Sequence, residues 1–307
     1  MIKTKIKFNL IFSIVIFLVW IILTIVFLRK IFSTNKEERI KIKETKITDF
    51  ASEKSGNSAG TFVDDFSEEK IIIETDSPAK STDQNWWLNS GAIFKTERGV
   101  GKTLFGSLKQ DDYWRKNYAD YNPDETTGGY RPQNIFRLVT KKRWRNFRQE
   151  AYFKVKYYEQ SPSQHRQASN GLFLFNRYQD GDNLYYTGLR VDGQVVVKKK
   201  YNGQYHTMIS KKVLSGKYDR ENNPILIPLD KWIGLGSEVT NEGDKVIIKV
   251  FLDQEGSGHW REIVRVEDDG VRYHSPLINS AGFAGLRTDF MDCEFDDYLI
   301  TDLFHKN

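Results

Sequence analysis

Cysteine is almost absent from this sequence, with Cys293 the single one in 307 residues. One cysteine excludes an internal disulfide framework and any zinc site built from several thiolates. The five histidines are scattered, and no H-x-H or H-x-x-x-H spacing points to a metal motif. The fold must therefore be stabilised by burial of apolar side chains, which a chain of this length can supply.

A surplus of one charge sign is also lacking once the charges are located. The formal net charge is +5, but residues 1–59 contain 11 Lys and Arg against 5 Asp and Glu, which leaves 35 against 36 for the rest. Phosphate binding usually relies on a basic surface. We therefore expect no nucleic-acid partner.

The longest uncharged stretch is residues 8–28, 21 residues dominated by Ile, Val, Leu and Phe. As a helix rising about 1.5 Å per residue, it can cross a hydrocarbon core about 30 Å thick. A cleaved signal peptide would have a shorter apolar region, about 7–15 residues, and a small-residue cleavage site. Here the run ends in Arg29 and Lys30. We predict an uncleaved transmembrane helix at 8–28, preceded by a short tail at 1–7 and followed by a polar tether at 29–60.

The basic residues that flank this segment leave its orientation open. Three lysines precede it and six Lys and Arg follow between positions 29 and 43, which by the positive-inside rule favours a cytoplasmic C-terminal domain. Against this, an apolar segment next to the N-terminus commonly acts as a signal-anchor, and long following domains translocate largely regardless of charge. A domain rich in exposed aromatic residues suits the outer face. We predict a single-pass cell-membrane protein with an extracytoplasmic domain.

From Thr61 onward, short segments alternate with a period of two between clusters of Gly, Asn and Asp. The longest is Phe147–Tyr158, whose drier face carries Gln149, Ala151, Phe153, Val155 and Tyr157. The dipeptides Asp192-Gly193 and Asn202-Gly203 have the positive-φ chemistry of tight hairpins. About twelve such segments without intervening helices predict an all-β fold at 61–307, an antiparallel β-sandwich.

Three stretches carry a family resemblance: DDFS at 64–67, GLFLFNRYQDGDNLYYTGLRVDGQVVVKKKYNGQY at 171–205, and GFAGLRTDFMDCEFDDYLITDL at 282–303. Their order and spacing resemble the concanavalin A-like lectin/glucanase superfamily, most closely its LamG-like and laminin-G-like members. The resemblance covers residues 61–307 and implies a jelly-roll sandwich, but it says little about activity. Residues 101–133 fit the family pattern poorly, and we expect an insertion or a long loop there.

Sugar binding would use aromatic faces against C–H groups, together with Arg, Asp and Asn side chains for hydroxyl groups. The candidate ligand-binding residues are Tyr113, Trp114, Arg177, Tyr186, Arg190, Lys200, Arg287 and Asp289. Arg177 and Arg190 lie in strands that could present both guanidinium groups on one sheet face. For Trp86, Trp87 and Trp232 we expect core packing, because they adjoin apolar runs. The leading hypothesis is a non-catalytic module that binds a polysaccharide or glycoconjugate and requires no cofactor.

Catalytic alternatives remain open. Retaining glycosidases place two carboxylates about 5–5.5 Å apart, and Asp292, Glu294 and Asp296 follow a D-x-E-x-D pattern. These lie in what resembles the terminal structural strand, where a solvated face or a calcium site is favoured over catalysis. Residues 152–160, YFKVKYYEQ, echo a strand of jelly-roll polysaccharide lyases, but the Q-(I/V)-H motif of that family is missing. A glycan-active hydrolase or lyase is one alternative, and an adhesive or scaffolding ectodomain with a protein partner is the other.

A structural calcium ion is the one metal that the sequence suggests. Asp64 and Asp65 lie in the first strand, Asp296 and Asp297 lie in the last, and first and last strands often neighbour in such sandwiches. Oxygen ligands of this kind suit a hard cation. The other interpretation is that all four are turn and edge-strand residues that keep the surface soluble.

Overall fold

A computed structural model describes residues 60–303, together with residues 20, 23 and 24. Apart from those three positions and Gly60, the predicted tail, membrane segment and tether lie outside the described residues. In the part of the chain that is described, no helix combines the length and apolar character needed to span a bilayer.

The described residues form β-strands joined mainly by tight turns. Strands β1 to β16 are Thr61–Asp64, Lys70–Ile73, Trp86–Ser90, Ile93–Glu97, Val100–Lys102, Ile135–Trp144, Phe147–Tyr158, Gly171–Tyr178, Leu184–Arg190, Gln194–Tyr201, Gln204–Lys212, Trp232–Glu242, Lys245–Asp253, Arg261–Asp268, Gly282–Asp289 and Met291–Asp302. Helix α1, Tyr113–Tyr121, lies between β5 and β6, and short 3-10 helices occupy Pro78–Lys80 and Pro132–Asn134.

The strands form two antiparallel sheets. The nine-stranded sheet runs β14-β13-β12-β7-β16-β5-β4-β2, with β1 also paired to β16. The seven-stranded sheet runs β11-β10-β9-β8-β15-β6-β3. Every pair of neighbouring strands is antiparallel. The all-β, antiparallel prediction is confirmed.

The main core lies between the two sheets. Phe136 of the seven-stranded sheet stacks on Phe295 of the nine-stranded sheet, with ring centroids 5.3 Å apart. Phe153 then meets Phe295 edge-on at 5.5 Å. Burying each such ring contributes about 1.5–3 kcal/mol. Because the rings come from opposite sheets, the two sheets form a β-sandwich.

The two adjacent tryptophans of β3 show that the seven-stranded sheet buries side chains on both faces. Trp86 points into the main core and meets the ring of Tyr298 at 4.8 Å. Trp87 points the opposite way and contacts Phe283 at 5.9 Å. As predicted, both are buried. The side away from the core, called the outer face below, carries a second apolar cluster: Trp87, Val139, Phe173, Phe175, Tyr178, Leu184, Tyr186, Val196 and Phe283.

The predicted alternation of Phe147–Tyr158 holds over most of β7. Ala151, Phe153 and Val155 lie in the core as expected. The register against β16 shifts between Asp292 and Cys293, so one residue of β7 has no direct partner there. Beyond that bulge Tyr157 is 47% exposed and Tyr158 is in the core, which reverses the prediction for Tyr157.

Helix α1 lies within the segment that the sequence marks as an insertion. The Asp112 side chain caps it by accepting a hydrogen bond from the Trp114 backbone N–H at 2.8 Å. Its buried residue, Tyr118, donates its hydroxyl to Glu74 at 2.5 Å and accepts from the Gly91 N–H at 2.8 Å. These contacts hold helix α1 against Glu74, which follows β2, and against Gly91, which lies between β3 and β4.

Gly129 makes a close backbone contact with helix α1. Its φ is +80°, and a Cβ placed there would lie 2.0 Å from the Arg115 carbonyl oxygen. We expect Gly129→Ala to lower the free energy of unfolding by about 2 kcal/mol, since left-handed strain and a backbone clash add. The matched control is Gly106→Ala, with a similar φ of +74° and nothing within 4 Å. Equal losses for the two variants in urea denaturation would contradict the close approach.

Candidate ligand-binding cleft

A cleft of about 340 Å³ opens on the outer face of the seven-stranded sheet. Strands of the sheet contribute Ile135, Arg137, Tyr186, Lys198, Tyr205, Arg287 and Asp289. The loop between β7 and β8 contributes His165, Gln167, Ser169 and Asn170, and Glu125, Asn134 and Phe290 complete the lining. We call this the sheet cleft.

The strand register explains why these side chains share one face. Arg287 of β15 pairs with Arg137 of β6 on one side and with Phe173 of β8 on the other. Tyr186 of β9 pairs with Lys198 of β10. Directly paired residues project to the same side of a sheet. Their sequence neighbours therefore face the main core, and the cleft residues face outward.

Arg287 is held in place at the centre of the cleft. Its Nε donates to Asp289 Oδ1 at 2.8 Å, and its guanidinium lies 5.5 Å from the Tyr186 ring centroid and 5.6 Å from that of Phe173. Burial works against its charge, but the Asp289 carboxylate together with the Tyr186 and Tyr205 side chains outweighs this and raises the pKa of Arg287. The result is a permanently charged, oriented donor between aromatic faces.

Two tyrosines give the cleft an aromatic surface. The rings of Tyr186 and Tyr205 meet edge-on, with centroids 6.2 Å apart. Burial raises the pKa of Tyr186, so its hydroxyl stays protonated at neutral pH. Tyr205 is 53% exposed and offers its ring to solvent. Such a surface can pack against the C–H groups of a sugar or another flat ligand.

Two further cations lie in the cleft without an acidic partner. Arg137 and Lys198 are both partly buried, and neither forms an ion pair with any carboxylate between residues 60 and 303. Burial lowers the pKa of Lys198, and repulsion from Arg190 and Arg287 lowers it further. Its Nζ lies 5.9 Å from the Tyr205 ring centroid. The cleft therefore combines aromatic surface with uncompensated positive charge.

Asn134 is buried at the edge of the cleft and held there by hydrogen bonds. Its side-chain amide donates to the Glu125 backbone oxygen at 3.0 Å, and its backbone oxygen accepts from the Phe290 N–H at 2.9 Å. The side-chain oxygen is buried and has no donor among the described residues. Glu125 lies 3.7 Å from the His165 ring. Glu125 and His165 are therefore polar side chains of the lining that suit the hydroxyl groups of a ligand.

The structure brings together three of the sequence-predicted site residues, Tyr186, Arg287 and Asp289, in the sheet cleft. Two others lie beside it. Arg190 pairs with Asp192 at 2.7 Å, and Lys200 pairs with Asp182 at 3.0 Å. Lys200 Nζ is also 5.0 Å from the Tyr205 ring centroid, so it borders the aromatic surface.

Tyr113 and Trp114 are not part of this lining. They occupy the first turn of helix α1, where Tyr113 is 70% exposed. Trp114 packs against the small apolar cluster of Ala92, Tyr118 and Ile135. The sequence therefore identified two aromatic residues of the right type but on an element that the cleft does not use.

Arg177 does not share a sheet face with Arg190, contrary to expectation. The register between β8 and β15 shifts beside it, and its φ is +51°, so the strand alternation breaks there. The side chain is fully buried and donates to the backbone oxygens of Arg145 and Ile278 at 2.8 and 2.9 Å. Burial lowers the pKa of Arg177 to about 10. Its contacts are those of a structural residue.

Arg137, Lys198 and Tyr205 are cleft residues that the sequence reasoning missed. Arg137 is a lone charge at the centre of the apolar run IFRLV, and Lys198 follows three valines. A charge inside an apolar strand was the available signal, because such a side chain needs a solvent-filled recess or a partner. Tyr205 directly follows the Asn202-Gly203 hairpin and carried no comparable signal.

The D-x-E-x-D carboxylates do not form a solvent-exposed row. Asp292 is buried and pairs with Arg131 at 2.5 Å, while Glu294 pairs with Lys154 at 2.6 Å. Asp296 is buried and accepts from the Asp297 N–H at 2.8 Å. The expectation of a solvated outer face is wrong for Asp292 and Asp296. The carboxylates alternate with the core residues Met291, Cys293 and Phe295, but Asp292 is covered by the segment that contains Gly106, Arg131 and Gln133, and Asp296 is likewise buried.

The four candidate calcium ligands have other contacts. The first and last strands do neighbour, with Asp64 opposite Tyr298. Asp64 accepts from the Trp86 indole N–H at 2.7 Å and from the Phe66 N–H at 2.8 Å. Asp65 accepts from the Ser67 hydroxyl at 2.7 Å. Within residues 60–303, no three Asp, Glu, His or Cys side chains converge as a metal site would need, so these contacts add no support for calcium at Asp64, Asp65, Asp296 and Asp297.

Comparison with known proteins places the chain beside solved sugar-binding structures at low identity. No protein-family model and no curated protein matches the sequence. The carbohydrate binding module CBM66 from Bacillus subtilis is 15% identical, with a TM-score of 0.44, over 71% of this chain and 95% of that one. A winged bean acidic lectin complexed with methyl-alpha-D-galactose is 10% identical, with a TM-score of 0.46, over 81% of this chain and 100% of that one. The VIP36 exoplasmic/lumenal domain, in its Ca²⁺/Man-bound form, is 11% identical, with a TM-score of 0.42, over 78% and 93%. None of these similarities assigns a role to a residue of this chain.

Proposed function

We propose that this chain is a glycan-binding module of the concanavalin A-like, jelly-roll type and that the sheet cleft is its binding site. The uncharged run at 8–28 supports a membrane anchor that would display the module at the cell surface. No catalytic step and no cofactor is part of this proposal.

The observation that carries the proposal is the composition of the cleft. Tyr205 provides exposed ring surface with Tyr186 packed beside it, and Arg287 and Asp289 provide fixed polar groups next to these rings. A sugar ring presents the same combination, with C–H patches on its faces and hydroxyl groups on its rim. These aromatic and charged groups of the cleft lie on strands that pack apolar side chains on both faces, which holds these groups in place.

We expect Tyr205→Ala to weaken glycan affinity by about tenfold, or about 1.4 kcal/mol, because the exposed ring is lost. A glycan array probed with the full-length chain in non-ionic detergent identifies the sugars, and calorimetry on the best of them measures the loss. Tyr113→Ala is the matched control, since it also removes an exposed tyrosine but outside the cleft lining. The reverse result, loss with Tyr113→Ala and none with Tyr205→Ala, would move the site to helix α1.

The same sugars test the two alternatives. Release of new reducing ends, or of unsaturated products, from a bound glycan would make the chain a hydrolase or a lyase. A chain that binds no glycan at all would contradict the proposal and would favour the adhesive or scaffolding hypothesis. Binding without turnover, reduced by Tyr205→Ala, is the expected result.

A further inference from the structure

The sheet cleft has more cations than its own carboxylates can compensate. Of its two acidic residues, Asp289 is bound by Arg287 at 2.8 Å, and Glu125 lies 3.7 Å from the His165 ring. Arg137 and Lys198 have no carboxylate within ion-pair distance anywhere in the described part of the chain. Partly buried charges without a counter-charge are unfavourable, and proteins usually pair them.

The other sheet shows that this arrangement is not the rule in the molecule. On the nine-stranded sheet, Lys154 pairs with Glu294 at 2.6 Å, and Lys249 pairs with Glu238 at 2.7 Å. Arg148 pairs with Glu150 at 2.7 Å. Strand cations with similar partial exposure therefore find acidic partners there. The residues from 60 onward also have almost balanced charge, so the unpaired cations of the cleft do not reflect a general basic surplus.

We propose that the sheet cleft selects glycans that carry an anionic group, either the carboxylate of an acidic sugar or a sulfate ester. Arg137 of β6 and Lys198 of β10 lie four strands apart, about 19 Å at about 4.8 Å per strand. Each therefore supplies charge-assisted hydrogen bonds to a different anionic group of an oligosaccharide, and Tyr205 packs against a sugar ring. The ligand anion provides the counter-charge that the protein itself lacks, so binding removes an unfavourable feature of the free cleft. This inference rests on the proposed function and adds the ligand class.

The experiment compares pairs of glycans that differ only in charge. One arm uses a hexamer of galacturonic acid and its fully methyl-esterified form. The second arm uses a sulfated dextran oligosaccharide and the unsulfated dextran oligosaccharide of the same length, which carries no charge. Affinities of the full-length chain are measured by calorimetry at two salt concentrations, since ion pairing weakens as salt rises. The acidic probe that binds the protein more tightly identifies the preferred anion as a carboxylate or a sulfate ester.

We expect the acidic form of at least one pair to bind about tenfold more tightly than its neutral form, as one charge-assisted contact implies. Lys198→Gln and Arg137→Gln should each reduce that preference, because the acidic form loses a charge-assisted contact that the neutral form does not make. Lys245→Gln is the control, because it makes the same change in net charge at an exposed ion pair with Glu267, away from the cleft lining. Far-UV circular dichroism and urea denaturation verify that each variant folds.

Two results would overturn the inference. The first is equal affinity for the acidic and neutral members of both pairs, with no effect of Lys198→Gln on either affinity. That result would refute anion selection but not glycan binding at the cleft. Equal losses for Lys198→Gln and Lys245→Gln would show that the preference reflects overall charge. Failure of every probe and every array sugar to bind would instead refute the proposed function itself.

Discussion

Replacing Lys199 by methionine is expected to lower the free energy of unfolding by about 3–5 kcal/mol. Lys199 lies on β10 beside Lys198 but faces the main core. Its Nζ is 2.7 Å from Asp268 of β14, and both side chains have no solvent exposure. The ammonium also donates to the Ser275 backbone oxygen at 2.8 Å. The pair thus connects the two sheets near the side of the sandwich where β14 and β11 are the edge strands.

The loss is large because the substitution removes the cation that pairs with a fully buried carboxylate, that of Asp268. Its remaining partners are the Tyr185 hydroxyl at 2.5 Å and the Gly270 N–H at 3.0 Å. Both are neutral donors, since burial and the nearby Asp268 charge raise the pKa of Tyr185. Neutral donors stabilise a buried carboxylate less than an ammonium does, and removing one member of such a pair leaves the full desolvation penalty of the other.

Urea denaturation of the wild type and of Lys199→Met measures the effect. Lys198→Met is the matched control, because the same substitution one position earlier removes an outward-facing lysine and is expected to change stability by less than about 0.5 kcal/mol. Adding Asp268→Asn to Lys199→Met removes the uncompensated charge and should recover part of the loss. A Lys199→Met variant as stable as Lys198→Met would show that the pair is not buried.

Arg131→Met is expected to destabilise the protein by about 3 kcal/mol, for a related reason. Arg131 binds Asp292 at 2.5 Å and lies 3.1 Å from Glu159, and it is nearly inaccessible to solvent. Without it, Asp292 keeps, among the described residues, hydrogen bonds from the Gln133 amide at 3.0 Å and the Gly106 N–H at 2.9 Å. This network joins β16 to the segment that leads into the cleft lining at Asn134.

Lys80→Met is the control for Arg131→Met, because the Lys80–Asp76 pair is equally short, at 2.7 Å, but highly exposed. We expect no measurable change in the urea midpoint for that variant, since exposed pairs are screened by solvent. The comparison also tests the D-x-E-x-D carboxylates. If Arg131→Met leaves stability intact, Asp292 is not a structural residue, and the hydrolase alternative regains its main candidate.

The sequence predicted the strands best where local chemistry decides the structure. Asp192-Gly193 and Asn202-Gly203 occupy hairpin turns, with positive φ at Gly193, Asn202 and Gly203, as their composition indicates. The run Phe147–Tyr158 begins and ends where the sequence places it. The misassigned positions, Tyr157 and Arg177, adjoin register shifts that depend on the partner strand. A period-two pattern in one segment contains no information about such bulges.

The cleft was harder to predict than the fold. In β8 all eight residues are buried, so the strand lacks the usual contrast between a buried face and a solvent-exposed face. The type of residue was predictable, and Tyr186, Arg287 and Asp289 were identified on that basis. Their assembly with Arg137 and Lys198 depends on the order β10-β9-β8-β15-β6, which brings residues far apart in sequence side by side. Helix α1 has only nine residues, too few for a periodic signal.

The adjacent lysines of β10 face opposite sides of the sheet, Lys198 toward the cleft and Lys199 toward the core. A change in the register of this strand would therefore affect both sides at once. A shift of one residue along β9 would turn Lys198 toward Asp268 and Lys199 toward the cleft, and would move Val195 and Val197 out of the core. The valines therefore oppose a one-residue shift more than the ion pair does, because Lys198 could replace Lys199 beside Asp268. A mutation that changes the register of β10 should therefore alter ligand selectivity as well as stability, because one strand contributes side chains to both the cleft and the core.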